Sequence, residues 1–310
     1  MGSLFDRLQS LDRQWIYLLL SIVLIAALIV GKMEKPVVQL PARQLFDAVE
    51  ASPSGPDGDK IILVGTTFSF NTIGESGNQA RAILRHLMLT KKRFAVMSVE
   101  PVGAEIGKII TTKLAKEYGL EYGKDWIYFG YQLGTLAFFK SFPQDIPGTV
   151  QVDGIEKKPI TDFEIMKRVK TIKDVDMHIE ITASASVFDW LQVVQPTTKP
   201  RLKIGYACTG VMAAEAYPYL DSKQMVGMLP GLKGAADYEQ LVEEREKDFP
   251  EVKAGASLGS IPRIGLYRTA RHLMFAQGAA HVLIIIFIIL GNVGYFLARR
   301  RPRSKEAMDE

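Results

Sequence analysis

KIILVGTTFSF, Lys60 to Phe70, is a strand that is apolar on both faces at its start, and a helical pattern follows it from Asn78 to Lys92, with Ala82, Leu84, Leu87 and Met88 as its apolar residues. A strand without a polar face needs cover on both sides, which is the signature of a parallel sheet sandwiched between helices. The same alternation continues downstream. Arg93 to Glu100 (RFAVMSVE) is a second buried strand, and Pro101 leads into a helix from Ala104 to Tyr118 with Ile106, Ile109, Ile110 and Leu114 at helical spacing. Asp125 to Tyr131, Met177 to Ala185 and Arg201 to Thr209 give three further strands, with helical turns at Val187 to Val194 and a helix opening at Gly210. A charged helix, Ala235 to Lys247, closes the series. Connections too long for hairpins make the sheet mostly parallel. The expected fold is therefore α/β, a doubly wound sheet of Rossmann-like or flavodoxin-like type.

Between the third and fourth strands the pattern weakens. Thr135 to Phe142 predicts one or two helical turns, Pro143 to Pro159 a loop or small hairpin, and Thr161-Asp162-Phe163-Glu164 has the form of a capping box that opens a helix. Upstream, Pro41 to Ala51 predicts a short amphipathic helix with Leu45, Phe46 and Val49 on one face, and Ser52 to Asp59 (SPSGPDGD) reads as a turn or linker.

Two apolar runs bracket the domain: Trp15 to Val30 (WIYLLLSIVLIAALIV) and Ala279 to Ala298 (AAHVLIIIFIILGNVGYFLA), neither with Asp, Glu, Lys or Arg. A bilayer core of about 30 Å takes roughly 17–25 such residues in a helix, which the second run fills and the first only approaches. The first carries mixed charge ahead of it (Asp6, Arg7, Asp12, Arg13) and no Ala-x-Ala after it, so it reads as an uncleaved signal anchor. The resulting organisation is a short cytoplasmic segment (1–14), a span (15–31), a linker with the short helix (32–59), the α/β domain (60–250), a second linker (251–272), a second span (273–298) and a basic-then-acidic tail (299–310). Arg7, Arg13, Arg299, Arg300, Arg301, Arg303 and Lys305 stand on the terminal side, and Lys32, Lys35, Arg43, Arg263, Arg268 and Arg271 on the domain side. The density of arginine after the second run favours cytoplasmic termini and an extracytoplasmic domain on a two-pass protein of the plasma (inner) membrane; a cytoplasmic domain is the alternative.

The net charge of +4 over 310 residues is small and owes much to Arg299, Arg300, Arg301 and Arg303, so the domain lacks the basic field that nucleic acid requires. The partners expected are the lipid bilayer and protein subunits met through the second span, where Gly291 and Gly294 form a small-residue face with Asn292 between them. The single cysteine, Cys208, excludes an internal disulfide framework and a multi-cysteine zinc site. No metal site is expected, and no cofactor is indicated.

Chemistry is harder to find. Gly103-Ala104-Glu105-Ile106-Gly107-Lys108-Ile109 follows a strand and opens a helix as a phosphate loop does, but it is one residue short between its glycines and has Ile109 where a Mg²⁺-binding hydroxyl belongs. Gly74, Gly77 and Asn78 after the first strand could offer backbone N–H groups to an anion, without the compact G-x-G-x-x-G spacing. Cys208 ends a strand before a helix, where a helix dipole activates a thiol, yet no histidine is placed to serve it. His178, Glu180, Thr182 and Ser184 alternate onto one face of their strand; this describes either a polar groove with Glu180 as acid or base, or an edge strand with one face in water. Ligands in open α/β sheets bind beyond the C-terminal strand ends, so the candidate ligand-binding residues are Thr66, Thr67, Ser69, Glu100, Ser184, Ser186 and Thr209. The leading expectation is a membrane-anchored, non-catalytic ligand-binding or assembly subunit. The alternative is a membrane-anchored hydrolase or transferase with its crevice at those strand ends.

Overall fold

A computed structural model describes residues 12–30, 37–56, 58–249 and 269–299. Residues 1–11 of the polar lead, most of the second linker, the arginine-rich tail beyond residue 299, and Lys32, Lys35, Asp57, Arg263 and Arg268 lie outside the described residues. The chain forms two compact units, Lys35–Arg271 and a second made of Met1–Glu34 with His272–Glu310.

The first unit begins with helix α1 (Leu40–Glu50) and strand β1 (Ile61–Thr67), then α2 (Ile73–Leu89), β2 (Phe94–Ser98), α3 (Pro101–Tyr118) and β3 (Trp126–Tyr131). Two short helices, α4 (Leu136–Ser141) and α5 (Ile146–Val150), and three 3₁₀ turns lead to β4 (Val175–Thr182). After it come α6 (Ser186–Asp189) continuing into a π-helical turn (Trp190–Val194), β5 (Lys203–Cys208), α7 (Ala213–Asp221), β6 (Gly227–Pro230) and α8 (Gly231–Arg245). The six strands form one sheet, every pair parallel, in the order β3-β2-β1-β4-β5-β6. That is the order of the doubly wound, Rossmann-like class, whose direction of winding reverses between β1 and β4.

Period-2 alternation divides the strand residues between two cores. Ile62, Val64, Val96, Ile179 and Ile181 face a layer that includes Leu45, Leu84, Leu114 and Leu241 of the long helices. Leu63, Ala95, Met97, Phe129 and Tyr206 face the short helices through Phe138, Ile146, Trp190 and Ala216. All seven residues of β1 are buried, as its doubly apolar sequence requires.

Several local expectations are corrected. The stretch ahead of β1, by contrast, is as expected: α1 buries Ala42, Leu45, Phe46 and Val49, and a turn follows it with Ser52 and Ser54 buried. Phe46 stacks on His86 at 4.1 Å with a 6° interplanar angle, and Glu50 accepts from His86 Nε2 and Arg245 Nε, each at 2.9 Å. Burial holds His86 below the usual histidine range, and burial keeps the Tyr238 phenol protonated, so the neutral ring accepts from Tyr238 at Nδ1 (2.8 Å) while donating to Glu50. The capping-box sequence at Thr161 opens no α-helix, because no amphipathic run follows it; 3₁₀ turns at Ile160–Asp162 and Glu164–Lys167 stand there. A reciprocal capping box forms instead at Thr171 and Asp174. Strand β6 carries little β-branched signal, and its Pro230 is tolerated because the strand lies at the sheet edge. Finally, β4 is no edge strand. It lies between β1 and β5, and His178, Glu180 and Thr182 are fully buried or nearly so.

The compact unit closes on α8. Glu239 accepts from the backbone N–H groups of Ala270 (3.1 Å) and Arg271 (3.2 Å), and burial raises its carboxyl to about 7 despite those donors. Its folded value lies above the ordinary carboxylate value of 4.5, so the native state holds the extra proton between pH 4.5 and about 7. Stability therefore falls as pH rises through that window, by up to about 3 kcal/mol. Thermal melts across it are expected to show this loss, and Glu239→Gln to flatten it. Glu50 acts in the opposite sense: the His86 hydrogen bond and then Arg245 hold it down to about 2, so its smaller, partly exposed contribution is present above pH 4.5 and lost as pH falls toward 2.

The described residues contain one helix long and apolar enough to cross a membrane, Thr269–Phe296, 28 residues that include an 18-residue window with a mean hydropathy of 2.4. The N-terminal apolar helix, Arg13–Val30, has 18 residues and spans about 27 Å at 1.5 Å per residue. Asn292 Nδ2 donates to the Ile288 carbonyl one turn earlier (2.9 Å), which leaves its own carbonyl oxygen open to a neighbour.

Candidate functional site

The C-terminal strand ends bring most of the candidate residues onto one edge. Thr67 of β1 lies beside Thr182 of β4 in register, and Thr182 beside Cys208 of β5, with Thr209 next in the chain. On the β2 side, Ser98 Oγ lies 2.9 Å from the Thr66 carbonyl and 2.8 Å from that of Glu100. The arrangement matches the place where ligands bind in this class of sheet.

The chemistry of the individual groups is turned inward. Thr66 is fully buried, and its Oγ1 contacts the carbonyls of Met97 (3.3 Å) and Gly103 (3.2 Å). Thr67 Oγ1 accepts from Val99 N–H at 3.5 Å. Thr209 is buried, Ser69 and Glu100 are half-buried, and Glu100 stands at the start of α3 without a side-chain capping bond. The loop that resembles a phosphate cradle has a packing explanation. A Cβ on Gly103 would lie 2.1 Å from the Thr66 carbonyl oxygen, and one on Gly107 2.3 Å from Thr66 Oγ1. These glycines let α3 lie directly on the end of β1. At the neighbouring helix, the Gly210 N–H donates to Glu75 Oε2 (2.8 Å), which puts a carboxylate in the first turn of α2, where an anion would otherwise gain from the helix dipole.

Beneath β4 lies a buried polar chain. Ser186 Oγ donates to Glu180 Oε1 (2.7 Å), and His178 Nε2 stands 2.9 Å from Glu180 Oε2. A carboxylate only accepts, so that contact puts the imidazole proton on Nε2. A Cβ on Gly65 would lie 1.8 Å from Glu180 Oε2, so the glycine in β1 makes the room that this carboxylate occupies. Trp190 covers His178 at 3.9 Å between ring centroids. The His178 Nδ1 and Tyr206 hydroxyl atoms on this face have no protein partner among the described residues. Burial, then the charge of Glu180, raises the Asp189 carboxyl at the mouth of this region. Ser184 remains exposed and shares a 2.9 Å contact with Thr182 Oγ1. The sequence alternation put His178, Glu180 and Thr182 on one face of β4, whereas Ser184 lies in the bend past its end, and the alternation did not show that Ser186 folds back to Glu180.

No nucleophile–base pair emerges from these contacts. Ser186 donates to a carboxylate that is itself sealed from solvent, and His178 touches no hydroxyl. Burial pushes the Cys208 thiol up to about 12, so it stays protonated, and its Sγ lies 3.8 Å from the Leu229 carbonyl oxygen. Among the described residues no three His, Cys, Asp or Glu side chains gather closely enough to hold a metal ion.

The same end of the sheet exposes apolar side chains in and just after the strand ends: Phe70 after β1, Val102 in the first turn of α3, Tyr131, Leu133 and Leu136 at and after β3, and Val211 after β5. Leu133 is 65% exposed, Phe70 69% and Val211 89%. Each could be overlooked as an ordinary loop residue in the sequence; only the strand order places them all at one end. Fold and site together define a parallel α/β domain whose C-terminal strand edge is internally hydrogen-bonded and apolar at its rim. Comparison of the chain with protein-family models, with curated proteins and with solved structures finds no match to any of them.

Proposed function

We propose that this chain is a two-pass membrane protein whose α/β domain is a non-catalytic assembly subunit, with cytoplasmic termini and an extracytoplasmic domain. The observation that carries the reading is the set of exposed apolar residues, Phe70, Val102, Tyr131, Leu133, Leu136 and Val211, at the end of the sheet where this class of fold meets its ligands. Glu75, Glu100 and Asp189 stand at the same end, which suits a protein partner better than an anionic lipid surface. The inward-turned hydroxyls and the protonated Cys208 favour assembly over a hydrolase or transferase. Gly291, open around its Cα, and Asn292 offer a second contact, to a partner's membrane helix. The orientation rests on the arginines that follow the C-terminal apolar helix in the sequence.

Purification of the full chain from membranes is expected to recover a stoichiometric protein partner. Leu133→Asp combined with Val211→Asp, both at exposed positions, is expected to reduce that recovery at least about tenfold, as for the loss of central apolar anchors, with the melting temperature unchanged. A chain that purifies as a lone, stable monomer under the same conditions would overturn the reading.

A further inference from the structure

At the opposite end of the sheet, where β4 and β5 begin, a cleft of about 320 Å³ is lined by Lys60, Lys173, Lys199, Arg201 and Lys203, with Asp176 as its only carboxylate. We propose that this cleft binds a small organic molecule bearing two phosphate groups. Asp176 is already engaged: Lys203 Nζ lies 3.1 and 3.2 Å from its two carboxylate oxygens. Lys60, Lys173, Lys199 and Arg201 form no ion pair with a described carboxylate, so four cations face one cavity without neutralisation. Holding like charges together in a walled cleft is unfavourable by itself, and a bound anion relieves that repulsion. Two phosphate groups, each with about −1.5 to −2 charge at neutral pH, balance four cations, whereas one carboxylate does not. Arg201 adds the fork that takes two phosphate oxygens at once.

The floor of the cleft is apolar, made by Ile172, Val175 and Leu202. A second cavity of about 490 Å³ adjoins it, sharing Ile172, Lys173 and Thr198 and adding Phe139, Pro143 and Val193. Charged rim, apolar floor and an adjoining mixed cavity suit a molecule whose phosphates sit among the lysines and whose organic part lies beyond Lys173. The combined space falls in the range of small-molecule sites. This cleft is independent of the apolar rim, which lies at the other end of the strands.

The test uses the full chain in zwitterionic detergent with inorganic pyrophosphate as the probe. Saturable binding with a rise in melting temperature is expected. Lys199→Glu with Arg201→Glu should weaken that binding at least about tenfold, because these side chains are exposed and the double variant keeps its fold. Lys60→Glu with Lys173→Glu serves as a second pair should the first fail to fold. Reversal of Lys113 and Lys116, on α3, should leave binding unchanged. Mass spectrometry of the purified chain separates the sources of the ligand: a lipid with two phosphate groups retained by the wild type and lost from the double variant assigns the same site to a lipid headgroup, whereas retention of a lipid with one phosphate would count against the proposal. Absence of both pyrophosphate binding and lipid retention, or an equal loss in the α3 control, would overturn the proposal.

Discussion

Glu180→Ala is expected to destabilise the domain by about 3–5 kcal/mol, measured by denaturant unfolding followed through the fluorescence of buried Trp126 and Trp190. The size follows from what remains. Glu180 accepts from Ser186 on one oxygen and from His178 on the other, and all three side chains are buried. Truncation strands a hydroxyl and an imidazole N–H in a site that water does not reach, on a face where His178 Nδ1 and the Tyr206 hydroxyl already lack protein partners. Removing one member of a buried polar chain therefore costs more than the chain contributes. The converse substitution discriminates: replacing His178 and Glu180 by leucine together with Ser186 by alanine removes every member of the chain and is expected to cost far less than Glu180→Ala alone. A triple variant as damaged as the single one would mean that the volume of these residues matters and their hydrogen bonds do not.

Trp190→Ala is the second large effect, at about 3–5 kcal/mol for an aromatic removed from a closed core. Trp190 is fully buried. Its ring lies near-perpendicular to Phe139 (5.4 Å, 87°) and Phe142 (5.8 Å, 88°), and tilted over His178 at 3.9 Å. It therefore joins the short helices α4 and α6 to the centre of the sheet, and no neighbouring element is long enough to collapse into the space it leaves. Trp190→Phe should recover more than half of the loss, since the ring-to-ring contacts survive in part. Trp15, 60% exposed on the N-terminal apolar helix, is the control, and its replacement by alanine should leave the unfolding of the α/β domain unchanged.

The two positions show what could and could not be seen in the sequence. Five of the six strands were legible because their apolar runs are bounded by turn residues and separated by helical patterns. β6 was not, because GMLP holds a glycine and a proline and forms a strand only through its edge pairing with β5. The polar face of β4 was legible as an alternation, and its solvent-exposed reading followed from the rule that polar faces meet water. That rule fails here because the polar groups satisfy one another across Ser186, a contact set by the return of the chain into α6. The hydroxyls at the strand ends were found as a cluster for a sound topological reason. Their inward hydrogen bonds were invisible, since which way a threonine turns depends on the helix packed above it. The apolar rim could not be recognised at all without the strand order, because its members come from four separate strand ends and the connections that follow them.

The most direct test of the assembly reading is site-specific photo-crosslinking in intact membranes, with a photoreactive phenylalanine analogue at Leu133 or Val211 and a control at Lys113. The account predicts one discrete crosslinked protein at both rim positions and none at the control. Rim positions that give no adduct above the control would contradict it.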